Sequence, residues 1–269
     1  MPNGDAAVDS SPVTSVTEAL AMTTSISRLS PDDVTNFREQ GYLLYNQPVL
    51  TLERFEQLRS IFEEHLADKG DKLSDELDTP HFRDPRLLDF LLSDEVLDLV
   101  EPLIGPNIAL WSSHFIFKEP FTGRATPWHE DSAFWNGRLS AYDKIVTIWL
   151  AIDPSHEENG CMRVIPGTHE GGFSDYESVD SAGNTFTSQI KGGVDEAKAV
   201  PFVLEPNECS IHDGRIMHGA QPNTSAQRRC GYTMRYFPSS VRVIPERNVG
   251  HQIWLARGED QAGNTYVNA

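Results

Sequence analysis

Apolar positions follow two different spacings along this chain, and the change comes near Gly105. From Leu29 to Ile104 they recur at helical intervals; beyond it they gather in short runs separated by Gly, Pro and Asn. Ser30-Pro31-Asp32-Asp33 reads as a helix start: serine caps, proline fits the first turn, and the aspartates complement the positive end of the helix dipole. Gly41 ends that helix before the apolar strand Tyr42-Leu43-Leu44-Tyr45. A second helix is predicted from Leu52 to Asp68, where Phe55, Leu58, Ile61, Phe62 and His65 share one face. A third is predicted from Pro85 to Ile104 on Leu88, Leu91, Leu92, Val96, Leu99 and Leu103, stopped by Gly105-Pro106. Strands are then predicted at 108–118, 145–152, 162–165, 200–204, 209–212 and 231–237. Helices followed by many short strands predict a mainly β fold, a sandwich or jelly roll with the N-terminal helices packed on one outer face.

Two segments lack either spacing. Residues 1–27 are rich in Ser, Thr, Ala and Asp, and a disordered or loosely attached tail is expected there, leaving one domain over 28–269. Residues 171–199 are polar and Gly-rich; a loop of that length within a compact domain is usually functional, which makes it a candidate lid.

Charge and cysteine usage narrow the partners. A formal net charge of −18 over 269 residues argues against nucleic acid or an anionic membrane surface. No apolar run reaches the length of a membrane span, and residues 1–27 contain neither Lys nor Arg, so no secretory signal is expected. Cys161, Cys209 and Cys230 show no paired spacing and read as reduced thiols of a cytoplasmic protein. The expected partner is a small molecule, bound by a monomer or homodimer.

The chemistry concentrates in Pro127-Trp128-His129-Glu130-Asp131. In an extended segment, residues two apart share a face, so His129 and Asp131 would point the same way. An isolated His-x-Asp is equally what a surface turn presents. With His218 arriving from a distant strand, however, two imidazoles and one carboxylate would flank one metal ion and leave its other positions open, as in non-haem iron(II) oxygenases. His212 and Asp213 are adjacent and should face opposite sides, which makes His212 a structural or supporting histidine. Arg228 and Arg229 likewise alternate, so one of them faces inward. A buried arginine in an acidic protein needs an anion, either an internal carboxylate or a ligand carboxylate gripped by its planar fork.

Asn159-Gly160-Cys161-Met162-Arg163-Val164-Ile165-Pro166-Gly167-Thr168-His169 resembles the Glu-Asn-Gly-Cys…Pro-Gly-Ser-His segment of the phytanoyl-CoA dioxygenase family. The order of His129, Asp131, His218 and Arg229 around it is similar too, from about Leu29 to Gly258. The resemblance implies an iron(II)- and 2-oxoglutarate-dependent oxygenase on a double-stranded β-helix. It places the metal ligands at His129, Asp131 and His218, and the arginine for the distal carboxylate of 2-oxoglutarate at Arg229. Trp149 and His114 match positions that line the cosubstrate pocket. Ala220 stands where the family has a small hydroxyl residue, so that hydrogen bond is missing, and Glu130 replaces a glutamine and should point away from iron. Because Asp131 is retained, the resemblance favours hydroxylation with oxygen over halogenation; desaturation and cyclisation use the same iron site. Phe134, Trp135, Tyr142 and His81 are candidate substrate-pocket residues. Outside that reading stand a cupin-like metalloenzyme that does not use 2-oxoglutarate, for which Arg229 would be dispensable, and a non-catalytic binding protein that would not bind iron.

Overall fold

In a computed structural model that describes residues 28–70 and 77–267, helix α1 spans Pro31–Gln40 and is closed by a reciprocal cap. The Asp33 amide donates to the Ser30 hydroxyl, and the Asp33 carboxylate accepts from the Ser30 amide, satisfying groups that a bare helix end strands. The tail expected at residues 1–27 lies outside the described residues. Strand β1 (Tyr42–Tyr45) follows, then α2 (Leu52–Ala67) behind its Thr51 cap. The third predicted helix is broken in two. A 3-10 turn at Pro85–Leu87 leads into α3 (Leu88–Leu91), and α4 (Asp94–Ile104) starts afresh. Ser93 makes the break: its backbone is extended and its hydroxyl donates to the Phe90 carbonyl, while Asp94 and Glu95 favour a new positive helix end behind it.

The strands that follow are β2 (Ile108–Lys118), β3 (Thr126–His129), β4 (Val146–Ala151), β5 (Met162–Val164), β6 (Tyr176–Ser178), β7 (Ser188–Ile190), β8 (Val200–Pro201), β9 (Cys209–Asp213), β10 (His218–Ala220), β11 (Arg229–Pro238) and β12 (Trp254–Arg257). They form a six-stranded sheet in the order β1-β9-β4-β11-β2-β12 and a four-stranded sheet in the order β3-β10-β5-β8. This is a double-stranded β-helix, or jelly roll. The short pair β6-β7 and the edge strand β12 were not predicted: β6 and β7 are three polar-rich residues each, too short to show alternation. No helix among the described residues is long and apolar enough to cross a membrane.

Both faces of the larger sheet are buried, and alternation sorts its residues between them. Ile148 and Leu150 of β4, with Cys230, Tyr232 and Met234 of β11, join the core formed with Phe37, Leu58, Phe62 and Val96 of the helices. The intervening Thr147, Trp149, Arg229, Thr233 and Arg235 line an interior cavity. On β2 a bulge shifts this pattern: the register slips where β11 passes from Arg235, opposite Ser112, to Tyr236, opposite Leu110. Trp111 is the extra residue, so Trp111 and Ser112, though adjacent, both line the cavity. A bulge commonly re-aims a side chain beside a site in this way.

The Asn159–His169 segment joins the two strand layers. The Asn159 side chain accepts from the His156 amide and donates to the Pro154 carbonyl. Gly160 has φ +77°, and a Cβ there would lie 2.3 Å from the Gln221 carbonyl oxygen. Only glycine both adopts that backbone and admits this approach, which seats β5 beside β10 and the chain that leaves it.

Candidate active site

Strand β3 ends at His129, Glu130 keeps the chain extended, and Asp131 opens a 3-10 turn over Asp131–Trp135. The aspartate is therefore the first residue of a turn rather than part of the strand, yet one extended residue still sets it on the side of His129. Strand β10 runs antiparallel beside β3 with His218 opposite His129. His129 Nε2 and His218 Nε2 lie 3.7 and 3.8 Å from Asp131 Oδ1, and among the described residues these three form the one group placed to hold a metal ion. Two donors bonded at about 2.1 Å to one ion are at most about 4.2 Å apart, so these spacings accommodate it.

The outer hydrogen bonds fit a metal as well. His129 Nδ1 lies 2.8 Å from the Pro127 carbonyl oxygen and His218 Nδ1 3.0 Å from that of Ile216. Carbonyls only accept, so Nδ1 carries the proton and each Nε2 keeps its lone pair for the ion. Burial, followed by the neighbouring His129, pushes His218 well below its usual range, which keeps it neutral. Burial opposes the charge of Asp131, but Arg235 and then the two histidines outweigh it and hold the carboxyl well below the usual carboxylate range. Arg235 Nε and Thr147 Oγ1 both donate to Asp131 Oδ2, at 3.1 and 3.2 Å, leaving Oδ1 toward the histidines. Arg235 was not singled out from sequence, though its signal was available: it shares the parity of Arg229 along β11. His212 behaves as expected of a supporting residue, 3.9 Å from Asp131 Oδ2 and held neutral by burial, which pushes it down to about 4. Asp213 is engaged by Arg215 instead.

At the other end of the cavity the two arginines separate as alternation requires. Arg228 bridges Glu63 and Asp153. Arg229 is buried, its Nε has no hydrogen-bond partner, and it forms no ion pair with a described residue. Its guanidinium lies 5.2 Å over the Trp149 ring, and Lys118 beside it is also buried, bonded to the Ala220 and Gln221 carbonyls. Burial pushes Arg229 down to about 10, still charged at neutral pH. A buried cation without a carboxylate among the described residues makes a site for an anion. Trp149 is admitted by Gly231, where a Cβ would sit 2.1 Å from the indole. Gly231→Ala is therefore expected to cost about 1–3 kcal/mol by overpacking and to displace Trp149, read as a lowered Tm together with weakened binding of a carboxylate at Arg229.

The cavity has a volume of about 300 Å³ and is lined by the triad, Arg229, Trp149, His114, Phe134 and Trp135, among others. Two expected pocket residues are not on its wall. His81 lies on the helix side of the larger sheet, bonded through Nδ1 to Ser113 and stacked near Trp254, because the β2 bulge turns Ser113 outward. The Tyr142 hydroxyl donates to the Trp135 carbonyl and its ring lies against Phe173, so it braces the 131–135 turn from behind.

The 171–199 segment is an anchored hairpin rather than a plain loop. Phe186, between β6 and β7, lines the cavity and stacks on His129 at 4.9 Å and Phe134 at 5.2 Å. Glu130, between the two β3-side ligands, points the other way: its carboxylate accepts from the Ser174 amide and hydroxyl and from the Tyr176 hydroxyl. It is fully buried and points away from the metal position, as expected. Hydrogen bonds to a charged group contribute about 1.5–3 kcal/mol. Glu130→Ala is expected to raise the open population of the hairpin roughly ten- to a hundredfold, seen as faster limited proteolysis within 171–199 at unchanged global stability elsewhere in the sheets.

A family model described as phytanoyl-CoA dioxygenase matches residues 37–231. The chain is 25% identical over 261 residues to the phytanoyl-CoA dioxygenase domain-containing protein 1 homolog of Caenorhabditis elegans, covering 89% of this chain and 88% of that one. It is 30% identical over 168 residues to a probable alpha-ketoglutarate-dependent hypophosphite dioxygenase of Stutzerimonas stutzeri, covering 59% of this chain and 55% of the relative. Among solved structures, the apo form of the non-haem monooxygenase ThoJ superposes with a TM-score of 0.73 at 22% identity, covering 87% of each chain. The motif order read from the sequence, the triad and the family match over most of the chain agree: this protein belongs to the phytanoyl-CoA dioxygenase family.

Proposed function

We propose that the protein is an iron(II)- and 2-oxoglutarate-dependent dioxygenase that hydroxylates an unactivated C–H bond of a small molecule. The balance is R–H + 2-oxoglutarate + O2 → R–OH + succinate + CO2. The observation that carries this reading is the pairing, in one cavity, of a two-histidine, one-carboxylate set with a buried arginine that has no carboxylate of its own. His129 Nε2, His218 Nε2 and Asp131 Oδ1 would hold iron(II), which with oxygen and the cosubstrate supplies the oxidising power. Arg229 pairs with the distal carboxylate of 2-oxoglutarate, and Trp149 forms the wall beside it. Arg235 and Thr147 fix the Asp131 rotamer, while the Pro127 and Ile216 carbonyls fix the two imidazoles. Phe134 and Phe186, stacked on His129 and on each other, shield the metal from bulk water where the substrate enters.

The reading is tested by anaerobic absorption titration with iron(II) and then 2-oxoglutarate. A weak visible charge-transfer band that needs both components is the expected result. Iron binding without the band would leave a metalloenzyme that does not use 2-oxoglutarate; no iron binding would remove the triad.

A further inference from the structure

Arg138 follows the metal-bearing turn and lines the same cavity from the side opposite the cosubstrate arginine. It is held on two sides. Its Nε donates to Asn248 Oδ1 at 2.8 Å, and Asn248 in turn donates to the Arg138 and Ile244 carbonyls. Its guanidinium carbon lies 4.7 Å over the Trp111 ring, the ring that the β2 bulge turns inward. Yet neither Nη group makes a hydrogen bond or ion pair to a described residue, and the half-buried side chain lies on the cavity wall, so the outer edge of the fork is open to a ligand. The other two cavity arginines are already assigned: Arg235 donates to Asp131 and Thr233, and Arg229 belongs to the cosubstrate end.

We propose that Arg138 is the residue that recognises the substrate, and that the substrate is an organic acid whose carboxylate docks on its two Nη groups. The inference rests on the oxygenase reading above and extends it to a substrate class. A planar fork with two free donors matches a carboxylate bidentately. Charge favours a monoanion over a phosphate dianion, because Asp78 also lines the cavity, 3.8 Å from His114, and already offsets part of the charge on Arg138. Between Arg138 and the metal ligands the wall is aromatic: Trp111 lies 6.0 Å from Trp135, and Phe134 lies 5.6 Å from His129. The carboxylate and the carbon to be oxidised are therefore separated by an apolar spacer, aliphatic or aryl, that packs on these rings.

The test is calorimetric and needs no turnover. Wild-type protein is saturated anaerobically with iron(II) and 2-oxoglutarate, the charge-transfer band confirming that the cosubstrate is bound. It is then titrated with butyrate, hexanoate, octanoate and 3-phenylpropionate, and with the matching amides. At least one acid is expected to bind ten times or more tighter than its amide. Arg138→Gln should erase that preference while the band persists, and Arg138→Lys, which keeps the charge but not the fork, should restore part of it. Equal binding of acid and amide, binding of no acid in the panel, or an intact preference in Arg138→Gln would overturn the proposal. Absence of the band in wild type is a different result, and it strikes the cosubstrate reading instead.

Discussion

His129→Ala is expected to abolish substrate-independent succinate release, by more than about a thousandfold, in a protein that stays folded. A metal ligand contributes several kcal/mol to the barrier, each 1.36 kcal/mol being tenfold in rate, and the nearest other imidazole, His212, lies toward the far oxygen of Asp131, 3.9 Å from Oδ2. The stability side of the result follows from what the imidazole touches. Its Nδ1 meets a carbonyl and its Nε2 faces the metal position, so truncation strands no charge. Asp131→Ala removes the same activity with a different stability outcome. Arg235 is buried and spends its Nε on Asp131; losing that partner leaves an uncompensated cation, at about 3–5 kcal/mol. Thermal unfolding and iron binding measured on both variants separate the two effects. Equal losses of Tm would refute the assigned role of Arg235, and retained turnover in His129→Ala would refute the metal site.

Those two variants also show where the sequence was informative. His129, Asp131 and His218 were legible because strand alternation and a distant second histidine constrain one another, and Arg228 and Arg229 separated by the same parity rule. Helix α1 was legible because its cap is local chemistry: Ser30 and Asp33 need only each other. What escaped depended on nonlocal placement. The β2 bulge exists because β11 pairs with β2 in a slipped register, and no residue near Trp111 announces it; with it went the inward turn of Trp111 and the outward turn of Ser113, hence the misplacement of His81. The break at Ser93 could have been read, since Ser93-Asp94-Glu95 is itself a helix start, but continuous leucine spacing across it carried the longer prediction. Glu130 looked inert because its partners, Ser174 and Tyr176, lie in a segment without periodicity.

Arg229→Met should move stability and binding in opposite directions. In the absence of a carboxylate ligand, Arg229 is a buried charge with no acidic partner among the described residues, and an isosteric apolar side chain is expected to stabilise the fold by about 1 kcal/mol or more. The loss of its contact with the Trp149 ring opposes this by about 0.5–2 kcal/mol, so a small rise in Tm, a few degrees at most, is the expected net. Truncating one partner of a buried charge pair costs about 2–5 kcal/mol in binding, so affinity for 2-oxoglutarate should fall roughly thirty- to several-thousandfold. Ligand at a hundred times the wild-type Kd stabilises the wild-type protein by about 2.7 kcal/mol and should stabilise the variant by less than about 1 kcal/mol. The two melting curves, recorded anaerobically with iron(II), are therefore expected to cross in order when 2-oxoglutarate is added. If Arg229→Met is the less stable form without ligand and still responds to 2-oxoglutarate, then Arg229 is a structural cation and the cosubstrate carboxylate is held elsewhere. Crossing would mean that this fold carries a destabilising charge because the cosubstrate needs it, and that 2-oxoglutarate completes the interior of the β-helix as much as it feeds the reaction.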